Sequence, residues 1–417
     1  MINSQLLIPN EAPMSNARSQ APHSRPFVGH WVLVIGYCAA VLCSTAVAQV
    51  PMRDYIGEEV TWHNARMLAN GGLTGLEAGP AAVFGNPARL GLAARPALSL
   101  SYGVKASSEV RTRIVYDQFE NALGEVAIAD NVHGYGLAGP IAGLYRFGPL
   151  ALGAGIGPVR DFSYSYYKEY RDDFYVKYGE DRVQQTGSLY DGSLGLGYRP
   201  VSWLSVGATG GYLFGSRRLE VWSINGADTV HYVETPNIAR GFGFSGGIVA
   251  MPLLRLGIGL DFESGTKAKS RYTVPEDTTW YPSASVPWSG RVALSYSVPG
   301  SLPSKVTAEG TYEAWHSIDA RFSNLLTVRA GVEHTMLNFV RLRYGFGVEP
   351  MPFDPTIQRA DIGLGLGFDA GPMKIDLGLM TARDIIGPEN FYNVLTQTDL
   401  KIHESRNYFA LTVTREF

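Results

Sequence analysis

The sequence has little charge, almost no excess of either sign and hardly any cysteine. Only 18% of its 417 residues are charged, and 35 Lys and Arg against 38 Asp and Glu give a formal net charge of −3. Nucleic acid is therefore not an expected partner, because phosphate binding needs clustered cations. The 12% aromatic content excludes a disordered chain, and two cysteines, Cys38 and Cys43, exclude a disulfide scaffold.

The first 48 residues are predicted to be a cleaved secretory signal peptide. A basic region precedes an apolar run at residues 31–43, and the small residues Ala46 and Ala48 form the expected cleavage site. The alternative is a retained anchor helix, but the run is shorter than the roughly 20 residues that span a bilayer. Both cysteines would leave with the signal, so thiol chemistry and metal–thiolate sites are not expected in the exported chain.

After residue 48 the sequence has no long apolar run, and strands of alternating apolar and polar residues take its place. Ile362, Leu364, Leu366 and Phe368, for example, alternate with glycines. One face of such a strand is lipid-like and the other is very small or charged, which is typical of a transmembrane β-barrel. A soluble β-sandwich has the same period, but its polar face is seldom so rich in glycine.

Short turns alternate with longer polar segments along the chain. The short turns include Gly148-Pro149, Met251-Pro252 and Gly371-Pro372, and the longer segments include residues 106–137 and 383–404. One short and one long connection per hairpin is the pattern of outer-membrane barrels. We therefore predict an all-β fold, a transmembrane antiparallel β-barrel of about 14 strands over residues 97–417, located in the bacterial outer membrane.

The last strand carries an expected assembly signal. Phe409, Leu411, Val413 and Phe417 share one face, on which only Arg415 is not apolar. The pattern resembles the signal that the outer-membrane barrel assembly machinery reads. We expect that machinery and outer-membrane lipid as partners, while an ordinary final strand remains the alternative.

The region from residue 66 to residue 103 resembles the FadL superfamily of outer-membrane barrels. The motif residues are Gly71, Gly72, Asn86, Pro87 and Ala88. The superfamily includes long-chain fatty-acid transporters and the PorV-like barrels of a protein secretion system. The resemblance implies an N-terminal hatch inside the lumen, here within residues 49–96. Arg89 stands where the family motif usually has glycine.

Physical reasoning supports such a hatch independently. The lumen of a barrel of this size is too wide to be filled by inward side chains alone. A segment of small residues can thread a narrow interior with its backbone close to the wall. The alternative is a flexible periplasmic leader, but apolar residues such as Leu68, Val83 and Phe84 make free solvation unfavourable.

Gly157-Pro158 interrupts the strand that begins at Leu150. Proline removes a donor from the ladder and is nearly confined to edges and bulges. The resemblance implies a kink in the third strand that opens a lateral route from the lumen to lipid, and this is the third expected strand. The alternative is that the strand ends there and the Phe162–Tyr166 run lies beyond it, and both interpretations stay open.

Charged residues of both signs occupy positions expected to face the lumen. They are Arg255, Asp261, Arg291, Glu309, Glu313, Arg329, Glu333, Arg341, Arg343, Lys374 and Asp376. Mixed signs favour salt bridges between wall and hatch over an ion-selective pore, in which one sign should prevail. The aromatic-rich stretch at residues 162–178 is expected to mark an interfacial girdle.

No motif in the sequence indicates an enzyme. Residues 241–246 match a dinucleotide-binding spacing, but they lie in an alternating strand with no helix after it. His403 and Ser405 have the spacing seen in barrel lipases, without the rest of that pattern. The other histidines lack metal-ligand spacing. We expect a non-enzyme without cofactor or metal.

Two functions follow from the resemblance. The first is passive uptake of hydrophobic small molecules, fatty-acid-like, through a gated hatch and a lateral exit. The alternative is a PorV-like barrel that scaffolds a secretion or assembly complex and whose partner is a secretion-system protein.

Overall fold

The structure is a computed structural model that describes residues 51–60, 62–76, 79–225, 228–234, 240–266, 285–386 and 400–417. The expected signal peptide, with Ala46 and Ala48, lies outside these ranges, as does most of the predicted loop at 383–404. Among the described residues, no helix has the length and apolar content needed to cross a membrane.

Fourteen of the described strands form a closed antiparallel barrel, which confirms the predicted fold class. The wall strands are β2 (Ala97–Tyr116), β3 (Ala122–Phe147), β4 (Leu150–Asp161), β6 (Lys177–Val201), β7 (Leu204–Asn225), β9 (Arg240–Leu253), β10 (Leu256–Glu263), β11 (Ser289–Val298), β12 (Ser304–Glu313), β13 (Leu325–Met336), β14 (Val340–Pro350), β15 (Gln358–Ala370), β16 (Met373–Ile386) and β17 (Leu400–Glu416). The last strand pairs with the first, from Glu416 opposite Ala97 to Leu400 opposite Arg113. Closure removes the free edges that lipid could not hydrogen-bond.

Three further strands belong to the same sheet. They are β1 (Glu58–Glu59), which pairs with β4, β5 (Tyr164–Arg171), which pairs with β6, and β8 (Asp228–Glu234), which pairs with β7. Strand β1 belongs to the N-terminal segment, by which we mean the described residues from 51 to 96. Strands β5 and β8 extend hairpins of the wall. The N-terminal segment is therefore joined to the wall by backbone pairing as well as by side chains.

The alternation predicted from the sequence has the expected orientation. On β15, Ile362 and Leu364 are 57% and 51% exposed, whereas Asp361 of the same strand is not exposed. Apolar side chains thus cover the outer face that lipid contacts, and charged or small residues face the lumen. The tight turns Gly148-Pro149 and Gly371-Pro372 lie where they were predicted.

Two details of the prediction are wrong. The turn between β9 and β10 is Leu254-Arg255 rather than Met251-Pro252, so Arg255 is exposed in a turn and does not face the lumen. Most of the predicted loop at 106–137 is strand, because β2 and β3 continue far beyond the roughly 10 residues that cross a bilayer.

Besides β1, the described part of the N-terminal segment forms short helices and turns. They are α1 (Met52–Ile56), α2 (Ala65–Ala69) and the 3₁₀ turns η1 (Pro80–Val83) and η2 (Pro87–Leu92), and a further turn, η3 (Trp315–Ser317), follows β12. The backbone of this segment packs on inward-facing glycines of the wall. A Cβ added at Gly363 would lie 2.5 Å from Leu68 O, and one added at Gly71 would lie 2.8 Å from Phe346 N. The small inner face of the barrel therefore accommodates a second layer of backbone.

The aromatic stretch at 162–178 is divided between two environments. Tyr164 and Tyr166 are buried against Tyr55 of α1, whereas Phe174 and Tyr175 are 85% and 81% exposed at the tip of the β5–β6 hairpin. The buried aromatics cover α1 and cannot belong to an interfacial girdle, and for the exposed ones the girdle remains a prediction.

A charge on the outer face tests the orientation of the wall. Leu364→Arg places a cation near the middle of β15 and should lower the free energy of unfolding by about 2–4 kcal/mol. Gln118→Arg, in the exposed β2–β3 loop, serves as the control and should change it by less than about 0.5 kcal/mol. Urea-dependent unfolding from lipid vesicles, followed by heat-modifiable gel mobility, measures both. Equal effects of the two substitutions would contradict an outward-facing Leu364.

Candidate functional site

The barrel wall is interrupted between its second and third strands. Pairing of β3 with β4 runs from Phe147 opposite Leu150 to Ile141 opposite Ile156, and no further pair joins these strands in the described residues. The next residues are Gly139-Pro140 on β3 and Gly157-Pro158 on β4. Each proline lacks the N–H that would continue the ladder, so the pairing ends on both sides at once.

Beyond this point β4 pairs with the N-terminal segment instead of with β3. Glu58 and Glu59 of β1 lie opposite Asp161 and Arg160, and Val60 N donates to Val159 O at 2.9 Å. The register between β4 and β6 shifts between Pro158 and Arg160, which marks a bulge. The outer half of β4 therefore leaves the plane of the wall and turns toward the lumen.

The gap between β3 and β4 has a lower limit, next to the residues that are still paired, and an upper limit, where β5 contacts β3. A Cβ at Gly157 would lie 3.0 Å from the Cβ of Pro140, so the two strands still touch at the lower limit. At the upper limit, Tyr167 N of β5 donates to Asn131 Oδ1 of β3 at 2.8 Å. Between these contacts, β3 residues 132–139 have no backbone pairing with β4 among the described residues.

Glu58 holds the N-terminal segment to the wall through a buried ion cluster. Its carboxylate lies 3.3 Å from Lys105 Nζ, 3.1 Å from Arg359 Nη1 and 2.5 Å from Arg406 Nη1, and it also accepts a hydrogen bond from Tyr408. These partners come from three wall strands, β2, β15 and β17. Mixed charge at the barrel interior thus forms salt bridges, as predicted.

Asn86 anchors the segment at the opposite side of the barrel. The residue is fully buried, its Oδ1 accepts from Ala88 N at 3.0 Å, and its Nδ2 donates to Leu260 O at 3.2 Å. Ala88 O accepts in turn from Ser205 Oγ of β7 at 2.7 Å. The side chain therefore caps η2 and binds it to β10 at the same time. Pro87 starts η2 and its carbonyl group packs on Gly207.

Gly71 and Gly72 form the turn that ends α2. Both have positive φ, 71° and 84°, and Gly72 N donates to Met67 O at 2.9 Å, which closes the helix end. Gly71 also approaches the backbone of β14 too closely for a side chain. Both positions require glycine because of their positive φ angles. That the segment acts as a hatch remains a prediction.

A lumenal cavity of about 80 Å³ lies against the part of β4 that is not paired with β3. Gly157, Pro158 and Val159 line it from the wall, and Glu59, Val60, His63 and Phe84 line it from the N-terminal segment. A second cavity of about 40 Å³ shares Phe84 and Val159 and continues toward β7 and β9. Strand β4 therefore borders both cavities just beyond the point where its pairing with β3 ends.

The remaining predicted residues lie elsewhere. Phe409 and Leu411 are 41% and 36% exposed, and with Val413 and Phe417 they lie on the outer face of the last strand, away from the cavity. Their role as an assembly signal remains a prediction. His403 Nε2 lies 3.2 Å from Glu125 Oε2, and no hydrogen bond joins His403 to Ser405 in the described residues. Within those residues, no group of three metal-ligating side chains is present.

Sequence reasoning missed Gly139-Pro140 and Glu58. The first repeats the Gly-Pro dipeptide of β4, and this repetition was a usable signal, since two prolines on neighbouring strands end a ladder together. Glu58 gave no local signal, because its partners Arg359 and Arg406 both lie more than 300 residues away along the chain.

Comparison with known proteins identifies the fold. No family model matches the sequence, and the comparison with curated proteins finds no match. A Pseudomonas aeruginosa FadL homologue matches 87% of this chain over 100% of its own length, with a TM-score of 0.58 and 13% identity. The Pseudomonas putida toluene transporter TodX matches 86% of this chain over 99% of its own, with a TM-score of 0.60 and 14% identity. The Ralstonia pickettii toluene transporter TbuX matches 85% over 98%, with a TM-score of 0.53 and 16% identity. The resemblance to FadL barrels is therefore confirmed at the level of the fold.

A double-mutant cycle tests the anchor at Asn86. A Cβ at Gly247 would overlap Asn86 Oδ1, so Gly247→Ala should destabilise the wild-type barrel and cost far less when Asn86 is already alanine. Asn86→Ala alone should cost about 2 kcal/mol, since its hydrogen bonds are lost. We expect a coupling energy of about 1–2 kcal/mol in urea unfolding from lipid vesicles. Strictly additive effects would place Asn86 away from β9.

The ion cluster at Glu58 supports a second prediction. Glu58→Ala leaves buried cations without one of their partners and should loosen the N-terminal segment by about 3 kcal/mol. Glu180→Ala, which removes a partly exposed ion pair with Lys177, is the control and should cost less than about 1 kcal/mol. Limited proteolysis of the folded barrel measures release of residues 51–60. Equal cleavage rates in the two variants would contradict the cluster.

Proposed function

We propose that this protein takes up hydrophobic small molecules passively across the bacterial outer membrane. Solved barrels of the same fold are described as a FadL homologue and as toluene transporters. The apolar outer face fits a barrel in lipid, and the lumen offers cavities that a small molecule can occupy.

The observation that carries the proposal is the position of the cavity. It borders Gly157, Pro158 and Val159, the same residues at which β4 stops pairing with β3. A molecule that reaches this cavity from the extracellular side has the membrane on the other side of an unpaired strand edge. Lateral exit into lipid then needs no pore through the N-terminal segment, and partitioning into the bilayer supplies the driving force.

The N-terminal segment acts as the gate in this proposal. Strand β1 occupies the edge of β4 that would otherwise face the gap, through Glu58 and Glu59. A shift of β1 away from β4 enlarges the connection between cavity and gap. A ligand that binds the shifted arrangement more tightly favours it, as population shift requires. No nucleotide is needed for such a cycle.

A reversible cross-link at the lower limit of the gap tests lateral exit. Pro140→Cys together with Gly157→Cys places two Cβ atoms close enough for a disulfide. Oxidation prevents β3 and β4 from separating at the lower limit of the gap, so the gap can no longer widen from this end, and uptake of radiolabelled toluene by intact cells should fall about tenfold if exit requires that widening. A reducing agent should restore uptake.

Ile141→Cys with Ile156→Cys is the matched control, because these residues are already cross-strand partners below the gap. Its disulfide should leave uptake unchanged. Full uptake through the oxidised 140–157 variant would contradict lateral exit. Uptake that does not depend on the barrel at all would favour the alternative, a PorV-like scaffold, which predicts a stable complex with a partner protein instead.

A further inference from the structure

We infer that the outer wall of the barrel binds one phospholipid of the periplasmic leaflet. Its acyl chain lies in a groove across β4, β6, β7 and β9, and its phosphate lies near arginines of the short turns below. The site is outside the lumen, so the inference goes beyond the uptake function and does not depend on it. Its two supports are the shape of the outer face and the charge of the turns.

A groove of about 890 Å³ opens on the lipid-facing side of these strands. Its outward-facing floor consists of residues with no side chain beyond Cβ, which are Ala154 on β4 and Ala208 and Gly210 on β7. Leu194 of β6 stands between them, opposite Ala154 on one side and Gly210 on the other. Leu194 is 71% exposed, because these small neighbours do not cover its flanks. The outer face is therefore uneven at this place.

The outer face around β15 is even by comparison. Leu364 lies between Tyr344 and Leu379 on the neighbouring strands, so that large side chains stand next to each other. In hydrocarbon, contact between a lipid chain and the protein is stabilised by van der Waals packing, because no hydrophobic effect operates there. A chain in the groove touches a floor and flanks, whereas a chain on an even wall touches one surface. The groove therefore holds a chain more tightly than the rest of such a wall.

Aromatic side chains place the groove at the depth of the hydrocarbon. Above it, Tyr190 packs on Phe214 and Tyr212 packs on Phe242, with ring centroids 6.0 and 5.0 Å apart. Below it, Trp203 lies in the β6–β7 turn and is half exposed. Aromatic girdles mark the two membrane interfaces of outer-membrane barrels, and lipid chains fill the space between them. The occupant that this depth supplies is therefore an acyl chain.

The short turns below the groove carry positive charge without acids beside them in the sequence. Arg146, Arg199 and Arg255 lie at or beside the β3–β4, β6–β7 and β9–β10 turns, at the periplasmic end of the barrel. Three stretches around them contain no Asp or Glu, namely residues 143–153, 194–208 and 246–258. The β15–β16 turn differs, because Lys374 there pairs with Glu416. Positive charge is therefore concentrated under the groove.

The contacts of these arginines leave their charge uncompensated. Arg146 Nη1 donates to Ala93 O at 2.7 Å, and Arg199 Nη2 donates to Ser202 O. Both acceptors are neutral carbonyl groups. The guanidinium of Arg255 is exposed and has no ion-pair or hydrogen-bond partner within the described residues. Guanidinium groups bind phosphate strongly, so the phosphate of a lipid is the partner that fits this end of the barrel.

The groove connects these turns with the lower limit of the gap. Leu152 lines the groove only two residues from Leu150 at the β3–β4 turn, which is about 7 Å along a strand. Ala154 lies one outward-facing position below Ile156, the last residue of β4 that pairs with β3. A phospholipid with its phosphate at the turns therefore extends its chain along the outer face of β4 toward the gap.

Native mass spectrometry of the delipidated barrel, titrated with palmitoyl-oleoyl phosphatidylglycerol, tests the inference. We expect the first lipid to bind at least about tenfold more tightly than the lipids that follow it. Gly210→Leu together with Ala208→Leu fills the groove and should abolish this difference, because the space for the chain is lost. A Cβ at Gly210 would lie 4.0 Å from Phe244, so the wall has room for the substitution.

Gly310→Leu together with Ala308→Leu is the matched control, because these residues lie on the outer face of β12, where a Cβ at Gly310 has no neighbour within 4 Å. It should leave the first step unchanged, and heat-modifiable mobility verifies that each variant is folded. A wild-type barrel without a tighter first step, or a filled variant that binds like the control, would overturn the inference. A dimer that disappears on filling, with lipid binding unchanged, would assign the groove to a second copy and also overturn it.

A second pair of measurements tests the phosphate. Palmitoyl-oleoyl glycerol has the same chains without the phosphate and should bind at least about tenfold more weakly than phosphatidylglycerol. Arg255→Gln should weaken the first phosphatidylglycerol about fivefold. Lys374→Gln, which removes a cation already paired with Glu416, is the control and should leave it unchanged. Equal binding of the two lipids would show that the groove accepts any hydrophobic chain, including a transported molecule, and would overturn the phospholipid site.

Discussion

The structure depends on close packing between two layers of backbone inside a lumen that side chains alone could not fill. Inward side chains alone leave space in a barrel of this width, and the N-terminal segment of this chain packs on the inner face of the wall. That segment can lie against the wall only because the inner face carries glycines: a side chain at Gly363 or Gly345 would overlap the backbone of α2 and the turn after it. The glycine-rich inner face is thus a packing surface. Buried ions at Glu58 and hydrogen bonds at Asn86 then hold the layer at its two sides.

The packing of the N-terminal segment and the gap in the wall are linked through β4. The outer half of β4 cannot pair with β3 beyond Ile156, because Pro140 and Pro158 interrupt the ladder. Its free backbone groups still need partners, since an unpaired strand edge is unfavourable at membrane depth. Strand β1 supplies them, with Val60 bonded to Val159. The element that fills the lumen therefore also satisfies the strand that opens the wall, so a movement of one must change the other. This coupling is what makes the cavity between them a candidate site.

The fold could be predicted from the sequence, but the arrangement of residues at the candidate site could not. Period-2 alternation on β15 and two-residue turns such as Gly148-Pro149 are local signals, so the barrel and its strand number could be predicted. Loop lengths could not, because the outer halves of β2 and β3 lack a regular alternation of apolar and polar residues, although they are strands. The kink at Gly157-Pro158 was visible, but its meaning depends on Gly139-Pro140 across the strand pair, which only the register reveals. Pairs such as Glu58 with Arg406 have no signature in the sequence between them.

Amide hydrogen exchange of the barrel in nanodiscs, followed by mass spectrometry, tests the central claim most directly. If the N-terminal segment is packed into the lumen, peptides covering residues 52–60 and 65–76 should exchange as slowly as those of the wall strands. On β3, residues 132–139 should exchange faster than residues 141–147, which are paired with β4. Exchange of the N-terminal peptides within seconds, as for a solvated leader, would contradict the account, and so would uniform protection along the whole of β3.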